Sequence, residues 1–285
     1  GSRLYERITE LPEYYLTRAE RGLLQKHAHD IVEQVRGQSR SLSVIELGAG
    51  SASKTEILLR EIVEQGGRCT YIPIDVSRGA LEAAAQRIAG ALPAVQVRAM
   101  PETYDGALRA LGDVPPPRVV LFLGSSVGNM TDDDSSTLLA RVRRALPGGT
   151  WLVLGTDLRK DPDVLRAAYD DAAGVTAAFN RNLLVRINRE LGGRFDLAAF
   201  RHRALWNARE SRVEMHLEST RAQEVAIDAL GVRVRFDAGE TIHTESCAKY
   251  DVSRVERLLA AGGFALARTY ADPELGFAVH AAIAT

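Results

Sequence analysis

The run Arg118-Val119-Val120-Leu121-Phe122-Leu123-Gly124 is apolar at every position between its ends, so a strand built from it has no face to give to water. Such a strand belongs inside a parallel sheet. A similar run, Val44-Ile45-Glu46-Leu47, is ended by Gly48-Ala49-Gly50 and followed by a helix-forming stretch over 54–65. Apolar residues at helical spacing over 17–35 place a helix before it. Tyr71-Ile72-Pro73-Ile74-Asp75 reads as the next strand, with Ser77 as the cap of an alanine-rich helix ending near 91. The stretch 95–99 alternates like a strand. Trp151-Leu152-Val153-Leu154-Gly155 is another buried strand, reached through a helix over 134–146 and a turn at 147–149. Strands this apolar, alternating with helices, predict an α/β fold whose parallel sheet carries helices on both faces.

Beyond Asp157 that rhythm stops. The segment 160–205 reads as helical, with helices over 169–179 and 181–191, and alternation then takes over at 212–220 and 225–236. This predicts an inserted α+β part. A helix over 252–262 and strands over 264–270 and 277–283 return the chain to the first sheet. The expected partition is 18–157 with 246–285 in one domain and 1–17 with 158–245 in another.

Bulk properties remove several function classes. With 36 basic and 37 acidic residues mixed along 285 positions, the net charge is -1, which leaves no basic field for a phosphate backbone. Nucleic acid is therefore not an expected partner. No apolar stretch approaches the ~20 residues that span a bilayer, and the start Gly1-Ser2-Arg3-Leu4-Tyr5 lacks the apolar block of a signal peptide. The expectation is a cytoplasmic protein without membrane contact. Cys69 and Cys247 are too few for a disulfide scaffold. His27 and His29 fall on a helix, and His216, His243 and His280 sit in separate strand-like runs without metal spacing, so no metal is expected.

Three constellations carry chemistry. Glycines at the carboxyl end of a strand, as in Glu46-Leu47-Gly48-Ala49-Gly50-Ser51-Ala52-Ser53-Lys54, let a ligand approach the backbone. Ser53 stands where a dinucleotide fold has its third glycine, so the full GxGxxG pattern is not met. Asp75 follows Gly50 by 25 residues and ends the next strand, where a carboxylate can accept both hydroxyls of a ribose or, more simply, cap a helix. Together they indicate an adenosine-containing ligand. Leu123-Gly124-Ser125-Ser126-Val127-Gly128-Asn129-Met130-Thr131 ends a third strand, and Asn129 can donate and accept, which suits an amine beside a carboxylate. Its simpler reading is a helix entry capped by Thr131 or an Asp after it.

The chain resembles the ergothioneine-pathway histidine Nα-methyltransferases along essentially its whole length. The resemblance runs from Leu11-Pro12-Glu13-Tyr14-Tyr15 through Gly48-Ala49-Gly50, Phe122 to Asn129 and Leu154-Gly155-Thr156-Asp157 to Glu214-Met215 and Thr244-Glu245. Its most specific part is Tyr169-Asp170-Asp171-Ala172-Ala173-Gly174-Val175-Thr176-Ala177-Ala178-Phe179-Asn180. What it implies is a Rossmann-like class I methyltransferase sheet joined to an inserted substrate-binding domain, working with S-adenosylmethionine (SAM) on a small amino acid and without a metal. It implies that Tyr14, Asn129 and Tyr169 surround the amine and carboxylate and are the catalytic set. It further implies that Glu245 holds the imidazole beside Met215, and that Gly48, Gly50, Lys54, Asp75 and Tyr104 meet the cofactor. A monomer that adds up to three methyl groups is the accompanying expectation.

Three departures bear on that reading. Glu102-Thr103-Tyr104 replaces a Gly-Asp-aromatic motif, leaving Thr103 to offer adenine an oxygen but no charge. Cys247 stands where the family usually offers imidazole a Ser, and a thiol is the weaker hydrogen-bonding group. The family's N-terminal aromatic segment precedes the first residue of this sequence. The residues alone also admit a nicotinamide-dependent oxidoreductase, a methyltransferase for tryptophan or another amino acid, and a non-catalytic binder of amino acid or nucleoside.

Overall fold

The computed structural model describes residues 1–146 and 148–285. Helices α1 (Ser2–Thr9) and α2 (Leu16–Arg36) lead into β1 (Ser41–Leu47), α3 (Thr55–Glu64), β2 (Arg68–Ile74), α4 (Arg78–Ala91) and β3 (Val95–Val97). The alternation continues through α5 (Tyr104–Leu108), β4 (Arg118–Phe122), α6 (Asp132–Ala145) and β5 (Trp151–Asp157). Then come α7 (Pro162–Tyr169), α8 (Val175–Leu191), β6 (Phe200–Asn207), β7 (Arg212–Ser219), β8 (Gln223–Ile227), β9 (Val232–Phe236) and β10 (Thr241–Ala248). The chain closes with α9 (Val252–Ala261), β11 (Phe264–Asp272) and β12 (Phe277–Ala284). Contacts divide it into two units, Leu16–Arg159 with Tyr250–Thr285 and Gly1–Tyr15 with Lys160–Lys249. Among the described residues no helix is long and apolar enough to cross a membrane.

The first unit holds a seven-stranded sheet ordered β11-β12-β5-β4-β1-β2-β3. Strands β1 to β5 are parallel, and the β11–β12 hairpin adds an antiparallel edge beside β5. All five residues of β4 are buried, as expected of a strand with no polar face. Chain order reverses between β1 and β4, and in open α/β sheets ligands bind outside the carboxyl ends of strands at such a switch point. The described part of the expected turn at 147–149 has both glycines at positive φ, and position 147 lies outside the described residues.

Helix α2 packs its buried stripe, Leu16, Ala19, Leu23, Leu24, Ile31 and Val35, over this sheet, and one member of that stripe is charged. Glu20 is fully buried. Its carboxylate pairs with Lys54 and accepts the Gly124 N–H on both oxygens, at 2.9 and 2.8 Å. Gly155 lies inside β5, where glycine weakens a strand, because a Cβ there would run into the Glu20 carboxylate. One buried acid thus ties a helix to the segments that follow β1 and β4.

Glu46 is the second buried acid, beneath the glycine turn. It accepts from Thr55 Oγ1 at 2.6 Å and from the Tyr71 hydroxyl. Burial pushes its carboxyl up to about 7, against the pull of those two bonds. A folded-state value above the ordinary 4.5 favours the folded chain while the group is protonated. That contribution is full below about 4.5 and is lost as pH rises through about 7. Thermal melts between pH 4.5 and 7.5 should therefore show the Tm advantage of Glu46→Gln over the parent growing with pH. A difference that stays flat contradicts the assignment.

The second unit departs from sequence expectation in three places. The helix expected over 169–179 is broken: Tyr169 ends α7, and the Asp171 carboxylate accepts the N–H groups of Val175 and Thr176, at 2.9 and 2.7 Å, to start α8. Gly174 at φ +71° makes that corner. The helical reading of 160–205 fails after α8, which Gly192 ends at φ +63°, and β6 begins at Phe200. The alternating run 225–236 is a hairpin, β8 paired antiparallel with β9 around Gly231 at φ +62°. Strands β10-β7-β6 form an antiparallel sheet on which α8 rests, and Phe195, Phe200 and Phe236 fill the core beneath it with Leu184 and Leu217.

Candidate active site

At the carboxyl ends of β1 and β2, backbone and side chains are interlocked. Gly48 N–H and Ala49 N–H both donate to the Ile74 carbonyl, at 2.9 and 3.1 Å. Gly50 N–H donates to one Asp75 oxygen at 2.9 Å, and Ser77 N–H donates to the other at 2.8 Å. Ser77 precedes α4 as expected, yet its side chain makes no capping bond; its own N–H is held by Asp75. These two backbone bonds and a ribose contact by Asp75 are compatible, since a carboxylate has about four acceptor positions and two are used.

Gly48 and Gly50 sit at φ +71° and +51°, a region that side chains other than glycine rarely enter. A Cβ on Gly48 would stand 2.9 Å from the Tyr104 hydroxyl, whereas one on Gly50 would meet open space. Tyr104 packs edge-on against Phe122, with centroids 6.0 Å apart, and burial together with the charges of Asp75 and Glu46 pushes its phenol up to about 12. Thr103 is exposed and caps α5, accepting the Gly106 N–H at 3.2 Å. Lys54, beside Gly124, is ion-paired with Glu20. Asn129 is exposed at the end of a 3-10 turn after β4, and Thr131 caps α6 through Asp134 N–H. The helix-entry reading of this loop therefore holds at Thr131, and it leaves the Asn129 side chain exposed.

These residues give Gly48→Ala and Gly50→Ala different outcomes. Both lose about 1–3 kcal/mol of stability from the positive φ. Only Gly48→Ala must also displace Tyr104, so calorimetric titration with S-adenosylhomocysteine should show weaker binding for it than for Gly50→Ala. Equal affinities would remove Tyr104 from the ligand's surroundings.

The second unit gathers the other predicted residues. Tyr14, Tyr169, Met215 and Cys247 are buried, and Glu245 is half-buried on β10 directly opposite Met215 on β7. Tyr14 meets Tyr169 edge-on at 6.1 Å between centroids. Burial, reinforced by Tyr5, Tyr169, Cys247 and Glu245, holds the Tyr14 phenol well above its ordinary value. The Tyr169 hydroxyl donates to Cys247 Sγ at 2.8 Å. Glu245 is pushed up to about 7 by burial, against the opposing charge of Lys249.

Several neighbours of these residues were not anticipated. Lys249 is fully buried, donates to the Tyr169 hydroxyl at 2.9 Å and lies 3.3 Å from Cys247 Sγ. His202, also buried, bonds the Tyr169 carbonyl through Nε2 at 2.8 Å, with Asn180 Nδ2 at 2.9 Å from its other nitrogen. If Asn180 donates there, Nε2 carries the proton and fixes the end of α7. The reading of His216 and His243 as scattered is corrected by strand pairing. They are cross-strand partners with rings stacked at 4.7 Å, and Glu214 joins them with ligand atoms within 4.8 Å of one another. Burial works against the Glu214 charge, but bonds from Asn207, Arg212 and His216 pull it down to about 2. His280 is a core residue between Thr156 and Thr269.

The family described as histidine-specific methyltransferase, SAM-dependent, matches residues 1–284. The chain belongs to that family. Histidine N-alpha-methyltransferase of Mycolicibacterium smegmatis is 39% identical over 99% of this chain and 87% of its own length. Its counterpart in Mycobacterium tuberculosis is 39% identical over 95% of this chain and 83% of its own. Ergothioneine biosynthesis protein 1 of Neurospora crassa is 33% identical over 67% of this chain and 22% of its own. Membership brings SAM as methyl donor and sets aside the dehydrogenase reading of the glycine turn.

Proposed function

We propose that this chain transfers methyl groups from SAM to the α-amino nitrogen of L-histidine, up to the trimethylated betaine. The observation that carries the reading is the half-buried Glu245 carboxyl set opposite Met215 in a unit that also joins Tyr14 to Tyr169. A carboxylate facing an imidazole N–H forms a charge-assisted bond that apolar walls cannot supply. A free amino acid in the cytoplasm, a monomeric enzyme and independence from metal belong to the same reading.

Gly48, Gly50, Lys54, Asp75, Thr103 and Tyr104 would hold the cofactor. The positive φ at both glycines and the acceptor capacity left on Asp75 fit an adenosine. When bound, SAM supplies a sulfonium methyl that leaves by in-line displacement, so the protein's task is chiefly positioning. Tyr14, Asn129 and Tyr169 orient the amine, and Tyr14 offers a ring face to the cation that forms. Partial desolvation and a neighbouring positive charge lower the pKa of the substrate ammonium, which sheds its proton without a strong dedicated base. Cys247 favours a second reading: its sulfur faces Tyr169 and Lys249, so an aromatic amino acid such as tryptophan becomes the alternative acceptor.

Mass spectrometry after incubation with SAM and each of the twenty amino acids tests both. Methylated histidine formed in preference to every other product is the expected result. Methylation of tryptophan alone, or of nothing, removes histidine as the substrate.

A further inference from the structure

A lysine with no exposed surface must place its ammonium among acceptors, and two of them here are the hydroxyl of Tyr169 and the sulfur of Cys247. An ammonium has three protons to give and no lone pair to receive. The bond from Lys249 Nζ to the Tyr169 hydroxyl, 2.9 Å long, therefore runs in one direction only. The Tyr169 oxygen is the acceptor. A phenol has a single proton, and with Lys249 on one side it is sent to Cys247 Sγ, 2.8 Å away. Any further partner of that oxygen must then donate to it.

We infer that Lys249 is a positioning residue of the amino-acid site, fixing the Tyr169 hydroxyl as an acceptor toward the substrate amine. The inference rests on the proposed N-methylation and adds to it the polarity of one bond. An amine that donates N–H to Tyr169 keeps its lone pair out of that bond and available for attack. Without Lys249 the hydroxyl could turn its proton to the amine, and the lone pair would be engaged. The ammonium also lies 4.6 Å from the centroid of the Tyr169 ring, which holds the ring as well as the oxygen. Cys247 serves the same arrangement as the sink for the phenol proton, a use different from the imidazole contact that the resemblance implies.

The sequence offered one sign of this. Lys249 follows Glu245 by four residues and Cys247 by two, one position past the end of β10 and next to Tyr250. A buried charge just past a strand needs partners, and only the fold shows that Tyr169, 80 residues earlier, is one of them.

The test uses the full chain with SAM and histidine and compares the parent with Lys249→Met, Lys249→Gln, Tyr169→Phe and the double variant Lys249→Met with Tyr169→Phe. Lys249→Met should lower kcat by about 10- to 100-fold, the size expected for losing a bond to a charged group, while KM for SAM stays within about twofold. Tyr169→Phe should also lower kcat, and the double variant should be no slower than the slower single. Lys249→Gln, which keeps a donor of neutral charge, should recover part of the rate, and it replaces Lys249→Met in the cycle should that variant not fold. Losses that multiply in the double variant, or a parental kcat in Lys249→Met, overturn the role given to Lys249. A parent chain that leaves histidine unmethylated overturns the proposed function instead, so the two failures are distinguishable.

Discussion

Glu20→Ala should destabilise the protein by about 3–5 kcal/mol, the cost of removing one partner from a buried ion pair. The variant takes a partner from two groups at once. The Lys54 ammonium loses the carboxylate it is paired with, and the Gly124 N–H loses both oxygens that accept it. It also opens a void beside Gly155, the position at which a Cβ would collide with the acid. Glu20→Gln, which retains a carbonyl oxygen for Gly124, should lose less. The double variant Glu20→Met with Lys54→Met should recover much of the loss, because replacing both members of a buried pair by apolar residues of similar volume is often neutral. Urea denaturation of the four proteins measures this directly. If the double variant is no more stable than Glu20→Ala, the pair does not fasten the loops as described.

The parts of the fold that were legible share one property: their side chains face a single kind of surroundings. β4, and β5 after Trp151, are buried on both faces, so a run of consecutive apolar residues suffices to identify a strand. The glycine turn was equally plain, because two positions at positive φ leave glycine as the unstrained choice. Tyr169 to Phe179 misled for the opposite reason. Its alanines favour helix throughout, and the break is made by one Asp171 side chain whose two oxygens outbid the continuing ladder.

Glu20 and Lys249 belong to a third kind. Charged residues default to solvent in any periodic reading, and what buries them is a partner 34 or 80 residues away. Glu20 did leave a trace, since it lies four residues after Leu16 and four before Leu24, in the middle of the apolar stripe. In the site itself, Tyr14, Tyr169, Met215, Glu245 and Cys247 were named through the resemblance, while the strand register that sets Glu245 against Met215 had no counterpart in spacing. The bulge between His243 and Glu245 shifts that register, and a strict alternation counted from His243 would have missed it.

Replacing Glu245 with Ala should weaken histidine binding by about 1.5–3 kcal/mol, the usual worth of a hydrogen bond to a charged group. The effect should depend on pH, and its sign follows from the raised carboxyl. Glu245 protonates near 7 because burial opposes its charge more than Lys249 supports it. Only the ionised form accepts from an imidazole N–H with charge assistance, so the affinity of the parent for histidine should improve as pH rises through about 7. Glu245→Ala has no such group, and its weaker affinity should lack that rise. Glu245→Gln separates shape from charge: it retains an acceptor oxygen, so it should bind better than Glu245→Ala and show no titration of its own. Calorimetric titration of histidine from pH 6 to 8, in the presence of S-adenosylhomocysteine, gives all three profiles. Histidine's own imidazole titrates in the same window, near 6.5, and is common to every protein compared, so the difference between parent and Glu245→Gln isolates the carboxyl. Parallel profiles for the two would detach Glu245 from the imidazole and turn the site toward an amino acid that brings no ring N–H to it.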